Sequence, residues 1–177
     1  MLLRISFTKM KKAFLMLFFA VTFYQGKAQD HVWAFGFYGD VQLESPDYKG
    51  AFGIQGKYDF ALHSAVQAQV YGRSGYVALG ADYLVSLLDK TKNNVNVFFG
   101  MGLSQDFYRY NELVTEQEQV LPERRENFTV ANGQVGVSYY VPEVNLSLYA
   151  GYKLKYNFDW EEIEPNYLML GVRYHLW

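Results

Sequence analysis

Beyond residue 31 the chain alternates between apolar and polar positions. From Val32 to Gln42 one face reads Trp33, Phe35, Phe37, Gly39, Val41, while the other reads Val32, Ala34, Gly36, Tyr38, Asp40, Gln42. A period of two puts successive side chains on opposite sides of a β-strand. The alternation returns in Ala51–Phe60, Ala65–Arg73, Tyr76–Leu87, Val95–Ser104, Val130–Tyr140, Asn145–Asn157 and Leu168–Trp177. The seventh segment is the cleanest, with Leu146, Leu148, Ala150, Tyr152, Leu154 and Tyr156 opposing Asn145, Ser147, Tyr149, Gly151, Lys153 and Lys155. Each segment has about ten residues, the length with which a tilted strand crosses a bilayer.

The make-up of the two faces decides which kind of barrel these strands build. A soluble ligand-binding barrel fills its lumen with apolar side chains, but here the non-apolar face carries Gly, Ser, Gln, Lys, Asp and Arg. The apolar face therefore points outward, and closure into a ring pairs every backbone group that lipid cannot solvate. The predicted fold is all-β, an eight-stranded antiparallel up-and-down transmembrane barrel. Short connections (Phe60–Ser64, Leu88–Asn94, Val141–Val144) alternate with longer ones (Leu43–Gly50, Gln105–Asn127, Asn157–Asn166), with Arg73–Gly75 as a short exception. Short periplasmic turns and longer outer loops give this asymmetry.

Composition then narrows location and chemistry. Residues 1–28 contain five basic residues and no acid, with an apolar run over Ala13–Phe23 and small residues flanking Lys27. This reads as a signal peptide cut after Ala28, because about twelve apolar residues are too few to span a bilayer as a helix. The domain organisation is thus a signal peptide, 1–28, and an outer-membrane barrel, 29–177. The mature part keeps 11 of the 16 basic residues and all 18 acids, a formal charge of −7, which argues against nucleic acid as a partner. Cysteine is absent, which removes thiolate metal sites and cysteine nucleophiles. Aromatic residues make up 19% of the chain while the mean hydropathy is only −0.13, as interleaved faces require.

The final residues carry a further signal. Gly171-Val172-Arg173-Tyr174-His175-Leu176, closed by Trp177, fits the barrel-assembly signal of a Gly, an aromatic and a hydrophobic residue, although Met169 stands where a polar residue is usual. With these residues the chain resembles the small eight-stranded outer-membrane barrels of the OmpA/OmpX-like superfamily, as a barrel domain alone. The resemblance implies an outer-membrane location, partnership with lipid and the barrel assembly machinery, and a monomer. It also implies that any hydrolase or acyltransferase site would lie near the outer leaflet. His31, His63 and His175 all fall near the periplasmic end, so no such site is expected.

The acids Asp159, Glu161, Glu162 and Glu164 lack the spacing of an EF-hand loop, and neither a metal nor a cofactor is expected. Tyr108, Tyr110, Trp160, Glu161 and Glu162 form the candidate loop surface for an extracellular protein or glycan. Lys57, Asp59, Asp82, Lys153, Arg173 and His175 form the candidate lumenal network. Asp82 is expected to pair with Arg173 or Lys57 and thereby close the lumen, and His175 to face Asp82 or Asp59. The expected function is a non-enzymatic structural or adhesive barrel with a plugged lumen. A narrow pore or envelope-machine component is the alternative, and a lipid-modifying enzyme comes third.

Overall fold

The computed structural model describes residues 32–43, 48–110 and 124–176, with nothing described of the side chains of Tyr110 and Arg124. The expected signal peptide, residues 1–28, lies outside the described residues, as do His31 and Trp177. Eight strands run in chain order: β1 (Trp33–Gln42), β2 (Lys49–Ala61), β3 (Ser64–Arg73), β4 (Tyr76–Ser86), β5 (Val95–Tyr110), β6 (Arg124–Val141), β7 (Leu146–Asn157) and β8 (Glu162–Leu176). Each pairs antiparallel with its neighbours, and β1 pairs with β8 to close the barrel.

The pairing fixes the tilt of the strands. Following partners from Trp33 through Tyr58, Val66, Tyr83, Met101 and Gly133 leads to Leu154. On β7, Leu154 lies beyond Tyr152, whose line crosses Leu168 to reach β1 at Val41. A circuit thus ends well up β1 from its start at Trp33. This stagger makes the strands slant and narrows the interior to a width that side chains can fill.

The faces have the predicted sense. Phe37 and Phe52, on the apolar face, are each 72% exposed, whereas Lys153, on the polar face, is 0% exposed. Such a distribution is inside-out for water and suited to a hydrocarbon surround.

Two long loops of the sequence reading are corrected. β5 continues to Tyr110 and β6 starts at Arg124, so all of Gln105–Asn127 outside 111–123 is sheet; β8 starts at Glu162, which leaves Phe158–Glu161 as a tight turn between β7 and β8. The cause is a loss of hydrophobic contrast without a loss of alternation. In β6 Phe128 and Val130 still point inward and Asn127 and Thr129 outward, but the outer positions are polar there. The early part of β8 is further disguised by Pro165, which sits at a register shift between the Lys153–Tyr167 and Lys155–Glu164 pairs, beside Asn166 at φ 74°. Bulges are where a strand tolerates proline.

Candidate functional site

Inward-facing positions of all eight strands converge on the lumen, where the charges are arranged in tiers. At the end where the chain enters and leaves, Lys57 Nζ donates to Asp59 Oδ2 at 2.7 Å, and Lys90 of the β4–β5 turn donates to the same carboxylate. Asp59 is 1% exposed, so the turn folds its lysine under the barrel mouth.

The next tiers correct the expected ion pair. Asp82 Oδ2 accepts from Gln69 Nε2 at 2.9 Å and Gln134 Nε2 at 3.3 Å, and it pairs with neither Arg173 nor Lys57. Arg173 donates from Nε to Gln55 Oε1 at 3.1 Å and from its terminal nitrogen to Gln67 Oε1. Gln67 Nε2 in turn donates to Gln69 Oε1 at 2.6 Å. The two opposite charges are therefore connected through a relay of two amides, Arg173 to Gln67 to Gln69 to Asp82. A primary amide donates at one end and accepts at the other, so it passes polarisation between charges that the barrel keeps apart.

Arg173 also lies over the Tyr149 ring, 4.0 Å from guanidinium carbon to ring centre. On its partner strand Tyr149 meets Gly171, where any Cβ would come within 2.3 Å of the ring. Gly171, part of the expected assembly signal, makes room for the tyrosine beneath Arg173. Tyr174 faces outward, and Leu176 is half-buried at the end of β8.

Higher in the lumen one pattern occurs twice. Lys153 Nζ donates to Tyr38 Oη at 3.1 Å, and Tyr38 donates to Asp40 at 3.0 Å. Lys155 Nζ donates to Tyr76 Oη at 3.1 Å, and Tyr76 donates to Asp106 at 2.7 Å. Each phenol links an ammonium to a carboxylate, which keeps both ions hydrogen-bonded where water is scarce. Above them Tyr108 packs on Tyr76, with ring centres 4.8 Å apart, and on Phe128 at 5.7 Å; Phe128 reaches Trp160 at 4.4 Å.

This row roofs the far end. Tyr108 and Trp160, expected on a loop surface, are its two ends, while Glu161 on the β7–β8 turn and Glu162 at the start of β8 stay exposed. The acids near that turn do not converge. Asp159 accepts from the Thr129 N–H at 3.2 Å and Glu164 from Tyr167 Oη at 2.7 Å. Among the described residues no group of three His, Asp or Glu is placed to hold a metal.

His175 is also corrected. It faces neither Asp82 nor Asp59: its Nε2 meets Ser147 Oγ at 2.5 Å, and Tyr140 packs edge-on to the ring at 5.1 Å. It is the last inward residue of β8 and, like Lys57, pairs in register with Ala34 of β1. His63 Nδ1 meets the Ser86 carbonyl at 2.8 Å at the same end.

Sequence reasoning left Asp40, Gln67, Lys90, Asp106 and Lys155 outside the named network. Asp40, Gln67 and Lys155 share the inward parity of their strands, a signal the sequence carries; Asp106 falls in a stretch the sequence reads as a loop, and Lys90 reaches in from a turn.

No protein-family model and no curated protein matches the chain. Among solved structures it is similar to the N-terminal β-barrel domain of Pseudomonas aeruginosa OprF, with a TM-score of 0.65 at 16% identity over 85% of this chain and 100% of that one. It is also similar to Neisserial surface protein A, NspA, with a TM-score of 0.54 at 18% identity over 84% of this chain and 99% of that one. With its register closed and its apolar face outward, the chain has the fold of the small eight-stranded outer-membrane β-barrels.

Proposed function

We propose that this protein is a monomeric outer-membrane barrel, closed to solutes, that serves as a structural and binding element of the cell envelope. In this reading the signal peptide, residues 1–28, is removed on export, the assembly machinery recognises the β8 end, and the far rim faces outside. The observation that carries it is the lumen: charged and amide side chains are tied together from the Lys57–Asp59–Lys90 cluster to the Lys155–Asp106 pair, beneath an aromatic roof. Groups fixed in this way fill the space that a solute would need. Likeness in fold to OprF and NspA supports the location.

A second reading, a narrow water path, is favoured by one observation. The Asn132 side-chain amide and Asp82 Oδ1 are buried without a protein partner among the described residues, and water commonly fills that role. Planar-bilayer recording of the purified protein separates the two. The plugged reading expects no stable conductance steps, and the path reading expects small steps that change when Asn132 is replaced by Leu. For the binding role, deletion of 112–121 should abolish pull-down of an extracellular protein or glycan while leaving the barrel folded.

A further inference from the structure

Four tyrosines form a column from the far rim into the lumen. Tyr76 and Tyr108 line a cleft of about 580 Å³ beside the Ser74–Gly75 turn, which outward Val77 and Phe107 also line. From Tyr108 the ring centres step 4.8 Å to Tyr76, 6.3 Å to Tyr71 and 4.8 Å to Tyr38. The column thus leads from a half-buried ring to two that are each 2% exposed. Ring packing explains the spacing. It does not explain how the phenol protons are held.

The hydroxyls along the column differ in kind. Tyr76 donates to Asp106 Oδ2 at 2.7 Å and Tyr38 to Asp40 Oδ2 at 3.0 Å, so each of these phenols has a carboxylate base on its proton. Lys155 and Lys153 donate to the same two phenol oxygens, at 3.1 Å each, and keep them hydrogen-bonded when the proton leaves. Tyr71 Oη, between them, is buried without a partner among the described residues. Loss of one electron makes a phenol a strong acid, so an electron hole rests where the proton has an acceptor and only passes where it has none. Tyr76 and Tyr38 are resting places, and the Tyr71 ring bridges them.

We infer that the column is a one-electron relay that carries the oxidising equivalent of an organic peroxyl radical from the rim cleft to Tyr38. Val77 and Phe107 give an organic oxidant apolar surface to dock on, and a peroxyl radical is able to oxidise a phenol. The radical takes an electron from Tyr76 across the Tyr108 ring and becomes a hydroperoxide anion, which water at the rim protonates. The Tyr76 O–H bond breaks, and its proton forms an O–H bond on Asp106. An electron from Tyr38 then reduces the Tyr76 phenoxyl through the Tyr71 ring. Tyr76 regains its proton from Asp106, and the proton of Tyr38 crosses to Asp40. The oxidising equivalent ends on a ring shielded from both water and lipid. A hydroquinone-type reductant at the cleft restores the column by the reverse path.

The test uses the full mature chain in vesicles. The sequence has no cysteine, so Ser74→Cys gives a single attachment point at the cleft for a ruthenium photo-oxidant. A flash should leave a phenoxyl radical, identified by electron paramagnetic resonance with ring-deuterated tyrosine, that outlasts recovery of the ruthenium and forms more slowly in heavy water. Y38F, Y71L and Y76F should each abolish the persistent signal, whereas Y174F, on the outward face, should leave it unchanged. D106N, which keeps an acceptor but removes the base, should slow radical formation roughly a hundredfold. Folding of each variant is checked by its mobility before boiling, and where D106N does not fold, D40N must remove the persistent signal. No persistent radical in the labelled parent, an undiminished signal in folded Y38F or Y76F, or an unchanged rate in folded D106N would overturn the relay. Peroxyl radicals from a water-soluble azo initiator are the chemical probe. Wild-type barrel should consume them faster than the Y38F/Y76F variant, and equal consumption would overturn the peroxyl assignment.

Discussion

Arg173 and Asp82 show how a narrow lumen handles opposite charges. Each is almost fully buried, yet they meet only through Gln67 and Gln69. Cutting the relay with Gln69→Leu, which keeps size and removes both hydrogen-bonding ends, should lower stability by about 1–3 kcal/mol, measured as an unfolding midpoint in detergent. Asp82→Ala should have a larger effect, about 3 kcal/mol or more, since it strips Gln69 and Gln134 of their acceptor and leaves nearby cations uncompensated. Glu162→Ala, at the exposed start of β8, should stay within ~0.5 kcal/mol. Equal midpoints for the Asp82 and Glu162 variants would show that the network does not stabilise the fold. Parity along each strand revealed which residues face inward, but the choice of partner was not legible. Pairing depends on side-chain reach across the lumen, and a glutamine on the intervening strand intercepts the direct contact.

Among the strands, legibility followed hydrophobic contrast. β7 alternates cleanly and was read to within a residue, whereas β5, β6 and β8 run further than their apolar faces do. Those extensions project past the apolar belt, where neither face needs to be greasy and only the ladder of backbone hydrogen bonds marks a strand. The outward faces themselves offer a test. Leu148 and Val137 are each 50% exposed on the lipid side, and arginine at either position should impair insertion by ~2–4 kcal/mol, read as the folded fraction in vesicles.

The β4–β5 turn makes a separate prediction about pH. Asp89 accepts from the Thr91 hydroxyl at 2.6 Å and the Thr91 N–H at 2.9 Å, and these bonds hold its carboxyl below the ordinary 3.8. A carboxyl depressed on folding supports the turn fully above the unfolded value, and that support is lost as pH falls through the folded one. The Thr91 amide resonance should therefore titrate with a midpoint below 3.8. A midpoint at or above it would mean that the turn is not held by this carboxylate.

For the molecule as a whole, closure means that no strand edge is left for detergent to attack. Unboiled protein should consequently run at a different mobility from boiled protein on a denaturing gel, and identical mobility would count against a closed barrel. The architecture was legible because it requires only eight alternating segments with the greasy side out. The roof of Tyr108, Phe128 and Trp160 was not, since it joins residues from β5, β6 and the β7–β8 turn whose proximity depends on the register of the extensions.

Closure also sets an order in time. The relay starts from Arg173 near the end of the last strand, and its first partner, Gln67, lies 106 residues earlier in the chain. The same strand must zip onto β1, where Leu176 pairs with Trp33. Contacts of such long separation form late, because the loop entropy has to be overcome first. The seam and the Arg173 end of the relay therefore form in one final step, and a chain stalled before it has both an open edge and an unmatched Gln55 and Gln67. Such a chain differs from the finished barrel in two ways that a quality-control protease can detect, and both disappear when β8 docks.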